Sequence, residues 1–153
     1  LVNVDQECLG GAGYVEESNL PRLYRQAPLN SIWEGSGNIQ CLDVLRALNK
    51  EPETREAYFS ELPAARGDHA DFDSEIRWLT QAFDDVSTLE TRSRSIVERM
   101  ALALQASILL RAGNPAVANS FCATRLGGQH GFNFGTLPAD TPLDALIARA
   151  SLQ

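Results

Sequence analysis

The 153-residue chain is poor in the residues and patterns that build disulfide, metal and membrane proteins. Its three cysteines, Cys8, Cys41 and Cys122, stand far apart and form no C-x-x-C pair. That excludes a disulfide scaffold and a zinc site, and it reads as reduced thiols in a cytosolic protein. The two histidines, His69 and His130, sit in loop-like stretches without metal-ligand spacing, so no metal is expected. The longest apolar stretch, Ile96 to Leu110, is interrupted by Glu98, Arg99, Gln105 and Ser107, too short and too polar to span a membrane. There is no basic-plus-apolar leader, no Gly-X-Y repeat and no Gln/Asn tract. Period-two alternation is missing, and β-branched residues are few: 7 Val and 6 Ile against 19 Ala and 20 Leu. The fold class expected is therefore all-α, a helical bundle with little or no β-sheet.

Charge is present but lopsided. Lys plus Arg number 13 and Asp plus Glu 20, a net charge of −7, which disfavours coating nucleic acid. Residues 1–87 carry 7 basic against 16 acidic side chains, whereas residues 88–153 carry 6 arginines against 4 acids. Arg92 and Arg99 are seven apart on one helix face, with Arg94 between them. They read either as a solvated face paired with acidic neighbours or as a phosphate-binding stripe that could contact DNA.

Glycine and proline punctuate the helical segments. Val2 to Leu9 reads as a helix stopped at Gly10-Gly11. Ser18-Asn19-Leu20-Pro21 starts another, which should break before Pro28. Ser36-Gly37-Asn38 opens a third, whose Ile39, Leu42, Leu45 and Leu48 predict a single buried stripe. Residues 51–71 predict one modest helix and a loop. Asp73-Ser74 reads as the cap of a helix carrying Ile76, Leu79 and Phe83. A long helix should run from about Thr88 to Ala112, surrounded by neighbours over Met100 to Leu110 where it is apolar nearly all round. Pro115 starts a helix through Leu126, stopped by Gly127-Gly128. Residues 131–142 read as loop, in which Phe132 and Phe134 could anchor a partner subunit, and Leu143 to Leu152 as a last helix. Leu1 stands where a start Met would be and Leu1 to Val4 lacks a cap, so the chain reads as one helical domain, 1–153, cut from a longer protein.

Two stretches could carry chemistry. In Ile32-Trp33-Glu34-Gly35-Ser36-Gly37-Asn38 a carboxylate lies between an aromatic ring and a glycine, just before a helix start. Beside Trp33 and Ile32 it would lose hydration and its pKa would rise, which suits a general base. Gly35 lets backbone approach a ligand, and the helix start offers free N–H groups to an anion. The plainer reading is a glycine-rich turn whose Glu interacts with the helix N-terminus. Leu9-Gly10-Gly11-Ala12-Gly13-Tyr14 lacks the strand and third spaced glycine of a dinucleotide loop and also reads as a tight turn.

Taken in order, Gly10-Gly11-Ala12-Gly13-Tyr14, Leu20-Pro21-Arg22-Leu23-Tyr24-Arg25 and Ile32-Trp33-Glu34-Gly35-Ser36 resemble the C-terminal helical domain of flavin-dependent acyl-CoA dehydrogenases, closest to their alkylation-response branch. Phe121-Cys122-Ala123-Thr124-Arg125-Leu126 resembles that branch's helical C-terminal extension, which here would be residues 88–153, with the FAD and active-site motifs in 1–50. The resemblance implies a cytoplasmic homotetramer that binds FAD and oxidises an acyl-CoA to its 2,3-enoyl form. It places the catalytic base at Glu34. It places cofactor contacts at Gly10, Gly11, Gly13, Gly35, Ser36 and Asn38, and substrate contacts at Trp33 and Gly35. Arg25 would be structural. Glu7 and Gln26 stand where the family usually has Gln and Asp, and Ser36 replaces a Thr while keeping its hydroxyl. The chain alone is expected to lack dehydrogenase activity. Two rivals stand beside this reading: a DNA-associated repair module using Arg92, Arg94 and Arg99, and a structural tetramerisation module.

Overall fold

The computed structural model describes residues 2–151; Leu1 and the Leu152 end of the expected last helix lie outside the described residues. All-α is what is found: among the described residues there are helices and loops and no strand. Among the described residues no helix is long and apolar enough to cross a membrane. The chain divides into two compact units, Leu1–Gln40 and Cys41–Gln153.

In the first unit, α1 (Val2–Leu9) ends as expected at Gly10, whose φ of 58° is cheap only for glycine. The Gly10 N–H closes the turn onto the Glu7 carbonyl at 3.1 Å. Beyond it the chain forms not an open turn but a single helical turn, α2 (Gly11–Tyr14), folded against α1. Gly13 makes this possible: a Cβ there would lie 2.7 Å from the Gln6 carbonyl oxygen. The Gln6 side-chain amide in turn donates to the Gly13 carbonyl at 3.2 Å. α3 (Leu20–Gln26) carries Pro21 in its first turn and tightens into a 3₁₀ segment, Ala27–Ser31. The α-helix ends before Pro28 as expected, and the chain continues as 3₁₀ because the proline needs no N–H partner in the first turn of the new segment. Among the described residues of this unit only Gly13 and Pro21 are buried, while Tyr14, Leu29, Ile32, Trp33 and Ile39 are exposed.

The hydrophobic core belongs to residues 41–151. α4 (Gly37–Lys50) leads into it, followed by α5 (Pro52–Glu61) and a 3₁₀ turn at Leu62–Ala65. Then come α6 (Ala70–Ala82), a 3₁₀ turn at Val86–Thr88 and α7 (Ser93–Arg111). α8 (Pro115–Phe121) starts on an Asn114 cap and winds on as a π-helical turn, Cys122–Leu126; α9 (Leu143–Ala150) closes the chain. α6 presents Phe72, Ile76 and Leu79, and α7 presents Ile96, Met100, Ala103 and Ala106, each on one 3.6-residue face. Burying a side chain such as Phe72 contributes roughly 2–3 kcal/mol.

Four sequence expectations are corrected here. The α4 stripe is buried only at Leu48: Leu42 and Leu45 are half-covered and Ile39 is exposed. α6 is capped not by Asp73-Ser74 but by His69, whose Nδ1 accepts from the Asp71 N–H at 3.2 Å. α7 begins at Ser93 rather than near Thr88, because Val86–Thr88 is wound as a 3₁₀ turn. Its second half is not enclosed on all sides, since Ile108 is exposed. Composition alone does not decide enclosure when a bundle has few layers.

The Glu75 carboxyl lies within this core, only 3% exposed, on the face of α6 that meets α7. Arg99 of α7 holds it with two bonds, Nε to Oε1 at 2.6 Å and a terminal nitrogen to Oε2 at 2.5 Å. The same guanidinium lies 3.6 Å from the centre of the Trp78 ring. Arg99→Met should therefore cost about 3 kcal/mol or more in urea unfolding, because it strands a buried carboxylate. A loss below about 1 kcal/mol would show that the pair is not structural. Burial pushes the Cys122 thiol up to about 11, assisted by the nearby Asp71 charge. Cys8, by contrast, is exposed. Iodoacetamide at pH 8 should modify Cys8 in the native protein and reach Cys122 only on unfolding, as read by peptide mass spectrometry.

Candidate functional site

The candidate site is a turn built almost wholly from backbone. After the 3₁₀ segment, the N–H groups of Ile32 and Trp33 both donate to the Leu29 carbonyl, at 2.9 and 3.0 Å. Glu34 then takes φ = 59°, the one positive φ outside glycine among the described residues, and Gly35 takes φ = 124°. A non-glycine residue in this region is strained and persists only where its surroundings fix it. The Ser36 carbonyl accepts from the Gln40 N–H at 3.0 Å, closing the first full turn of α4. The N–H groups of Gly37, Asn38 and Ile39 have no acceptor within the helix and form a donor surface at its positive end.

The expectation that Glu34 is desolvated is not met. Its carboxylate is exposed, and Trp33 beside it is 56% exposed. The physical reason is geometric: neighbours along a turn diverge, and no core lies beneath residues 32–34 to hold the indole over the carboxylate. The turn thus fixes where Glu34 is without drying it.

The other site residues fall into two groups. Gly35, Ser36 and Asn38 share the turn and helix start with Glu34. Gly10 and Gly11 form a separate open stretch, where an added Cβ would meet nothing within 4 Å. Gly13 is buried and its missing side chain serves the contact of α1 with α2. Sequence reasoning missed Gln40, whose side-chain amide donates to the Glu34 carbonyl at 2.7 Å. Its only signal was a polar residue six positions after Glu34, which spacing alone does not distinguish from a solvated helix position.

Residues 4–49 match the family description "Acyl-CoA dehydrogenase, C-terminal domain". The chain is 41% identical over 125 residues to AidB of Escherichia coli (strain K12), an acyl-CoA dehydrogenase family member, covering 82% of this chain and 23% of AidB. The chain belongs to the acyl-CoA dehydrogenase family. A second relative, acyl-CoA dehydrogenase family member 11 of Caenorhabditis elegans, is 30% identical over 105 residues, 69% of this chain and 17% of that protein. The chain thus spans under a quarter of either relative's length.

The acyl-CoA dehydrogenase match ends at residue 49, before the arginines that suggested a phosphate stripe. Two of those three are engaged inside the fold. Arg99 is held by Glu75, and Arg92 donates to the Thr88 hydroxyl at 2.7 Å and to the Ala82 and Asp85 carbonyls at 3.0 and 3.1 Å. Arg92 thereby satisfies a carbonyl at the C-terminus of α6, a capping role. Arg94 is exposed. A cavity of about 530 Å³ opens in residues 41–153, lined by Leu42, Leu45, Arg55, Phe83 and Leu89 among others, and contains none of the family's motif residues. Phe132 and Phe134, for which anchoring on a partner subunit was one reading, are both exposed.

Arg25, given a structural role by the resemblance, makes an exposed ion pair with Glu16. It grips Glu16 with two bonds of 2.7 and 3.3 Å, tying α3 to the loop before it. These hydrogen bonds, with the guanidinium charge, hold the Glu16 carboxyl below its usual 4.5. A depressed carboxyl stabilises the folded state above its unfolded value, and the contribution fades as pH falls through the folded one. Comparing wild type with Glu16→Gln by thermal melting, the difference should be positive at neutral pH, vanish in strong acid and shrink in 1 M salt. A difference that grows on acidification would refute the assignment.

Proposed function

We propose that this segment supplies the general base and part of the cofactor cradle of an FAD-dependent acyl-CoA dehydrogenase. The observation that carries the reading is the Glu34 turn. A carboxylate in a strained, non-glycine left-handed conformation lies within the stretch matched by the family, at the position where the resemblance places the base. Strain of this kind is kept where surrounding structure holds it, and it clusters at functional sites.

The residues present fit the anionic part of FAD. The open backbone at Gly10 and Gly11 admits close approach, and the first turn of α4 with the Ser36 hydroxyl presents donors to negative charge. Gly35, Ser36 and Asn38 would hold the cofactor from this side. Bound FAD supplies the acceptor for the hydride leaving the β-carbon of the acyl chain. Glu34 takes the proton from the α-carbon, and Trp33 packs along the acyl chain. The water that this chain leaves on Glu34 would be displaced by substrate and cofactor themselves. The exposed apolar side chains of residues 14–39 support assembly with further protein, a homo-oligomer on this reading. The free cysteines accord with a cytoplasmic setting.

The test is Glu34→Gln in the full-length polypeptide of the proposed flavoprotein. Loss of a positioned base should lower acyl-CoA turnover by about 10²-fold or more while flavin content is retained. Turnover that survives the substitution would leave a structural, assembly-only role for the segment.

A further inference from the structure

The Glu34 turn is strained, so some contact must hold it, and the structure assigns that role to Gln40: we infer that Gln40 is the positioning residue for the candidate base. The inference rests on the reading of Glu34 as that base. Gln40 lies one turn into α4, and its side chain reaches back over Gly35 to donate from Nε2 to the Glu34 carbonyl at 2.7 Å. The backbone N–H of the same residue bonds the Ser36 carbonyl at 3.0 Å. One residue therefore ties both ends of the turn to the helix.

Gly35 shows how closely this contact is built. A Cβ at Gly35 would lie 2.9 Å from the Gln40 Nε2, so the amide passes over the glycine at contact distance. Gly35 also takes φ = 124°, which side chains resist. The glycine thus serves the Gln40 bridge as well as any ligand. A carbonyl held in place fixes the peptide plane on one side of Glu34 and limits the directions its carboxylate can take. Base catalysis is steep in such geometry, and a displacement near 1 Å can cost about 10²-fold.

The experiment replaces Gln40 by Met, which keeps chain length and helix propensity and removes the donor. Gln40→Met and Glu34→Gln are compared in the full-length flavoprotein, with flavin content, kcat and KM, and hydrogen–deuterium exchange over residues 32–40. The expected result is kcat lowered about tenfold or more, KM and flavin content within twofold of wild type, and exchange in 32–40 clearly faster with the rest of the chain unchanged. A fall in flavin content and a rise in KM together with kcat would make Gln40 a general structural residue and overturn the inference. So would exchange or kcat equal to wild type beside an inactive Glu34→Gln. If Glu34→Gln is itself fully active, the base reading fails first, and Gln40 then has no base to position. Exchange is informative whatever the turnover: unchanged protection in Gln40→Met overturns the bridge.

Discussion

The buried carboxyl of Glu75 is the constraint around which residues 41–151 are arranged. An ionised carboxylate taken out of water costs several kcal/mol unless it is paired and hydrogen-bonded. Arg99 meets that demand with two bonds, and its guanidinium plane is itself covered by Trp78. Glu75 and Trp78 are three residues apart on α6, so one guanidinium from α7 can touch both only in one register. A slip of α7 by one turn, about 5.4 Å, would strand the carboxylate. The apolar faces of the two helices, rich in alanine on α7, would tolerate such sliding far better than the ion pair does. Hydrophobic burial draws α6 and α7 together, and the charge fixes their alignment. Tyr58 adds a second tie at the same level, its hydroxyl donating to the Met100 carbonyl at 2.8 Å. Burial, with the Glu75 charge behind it, keeps that phenol protonated.

Residues 2–40 are held by a different balance of forces. Two residues there are buried, so apolar burial does little, and the shape comes from dihedral preferences and backbone hydrogen bonds. Gly10 turns the chain, Gly13 admits the α1–α2 contact, and Gly35 admits Gln40. Each of these glycines removes a side chain that would otherwise contribute contacts. A segment built this way is precise in backbone but open on its surface, and it leaves its large apolar residues uncovered. On the proposed reading, other protein and ligand atoms would complete that surface.

Much of this was legible in the sequence, and the division follows the range of the interaction. The glycine stop at Gly10, the Pro115 start and the all-α class depend on neighbours within a few residues, and they are found as expected. The three ordered motifs gave the family and the turn at Glu34. What sequence could not show was where long polar side chains end. His69 read as loop but caps α6, and a phosphate stripe stood as the rival to a paired face for Arg92 and Arg99, whose partners are the Ala82 carbonyl and Glu75. The π-helical turn at Cys122–Leu126 likewise has no local signature. Desolvation of Glu34 was inferred from adjacency to Trp33, but adjacency along a turn is not cover.

That last correction bears on how the proposed base would work. A carboxylate buried beforehand holds its proton more tightly before any substrate arrives, and it must then be kept ionised at a cost in stability. The Glu34 side chain instead stands open to water on a turn set by backbone geometry. In the proposed flavoprotein the acyl-CoA and the cofactor would close over it and remove that water. On the proposed reading the chain therefore contributes direction, and the ligands contribute dryness. This division also explains why strain is placed in the backbone at Glu34 rather than in its surroundings. A fixed peptide plane survives the arrival and departure of ligands, whereas a hydrophobic cover would have to be opened each time.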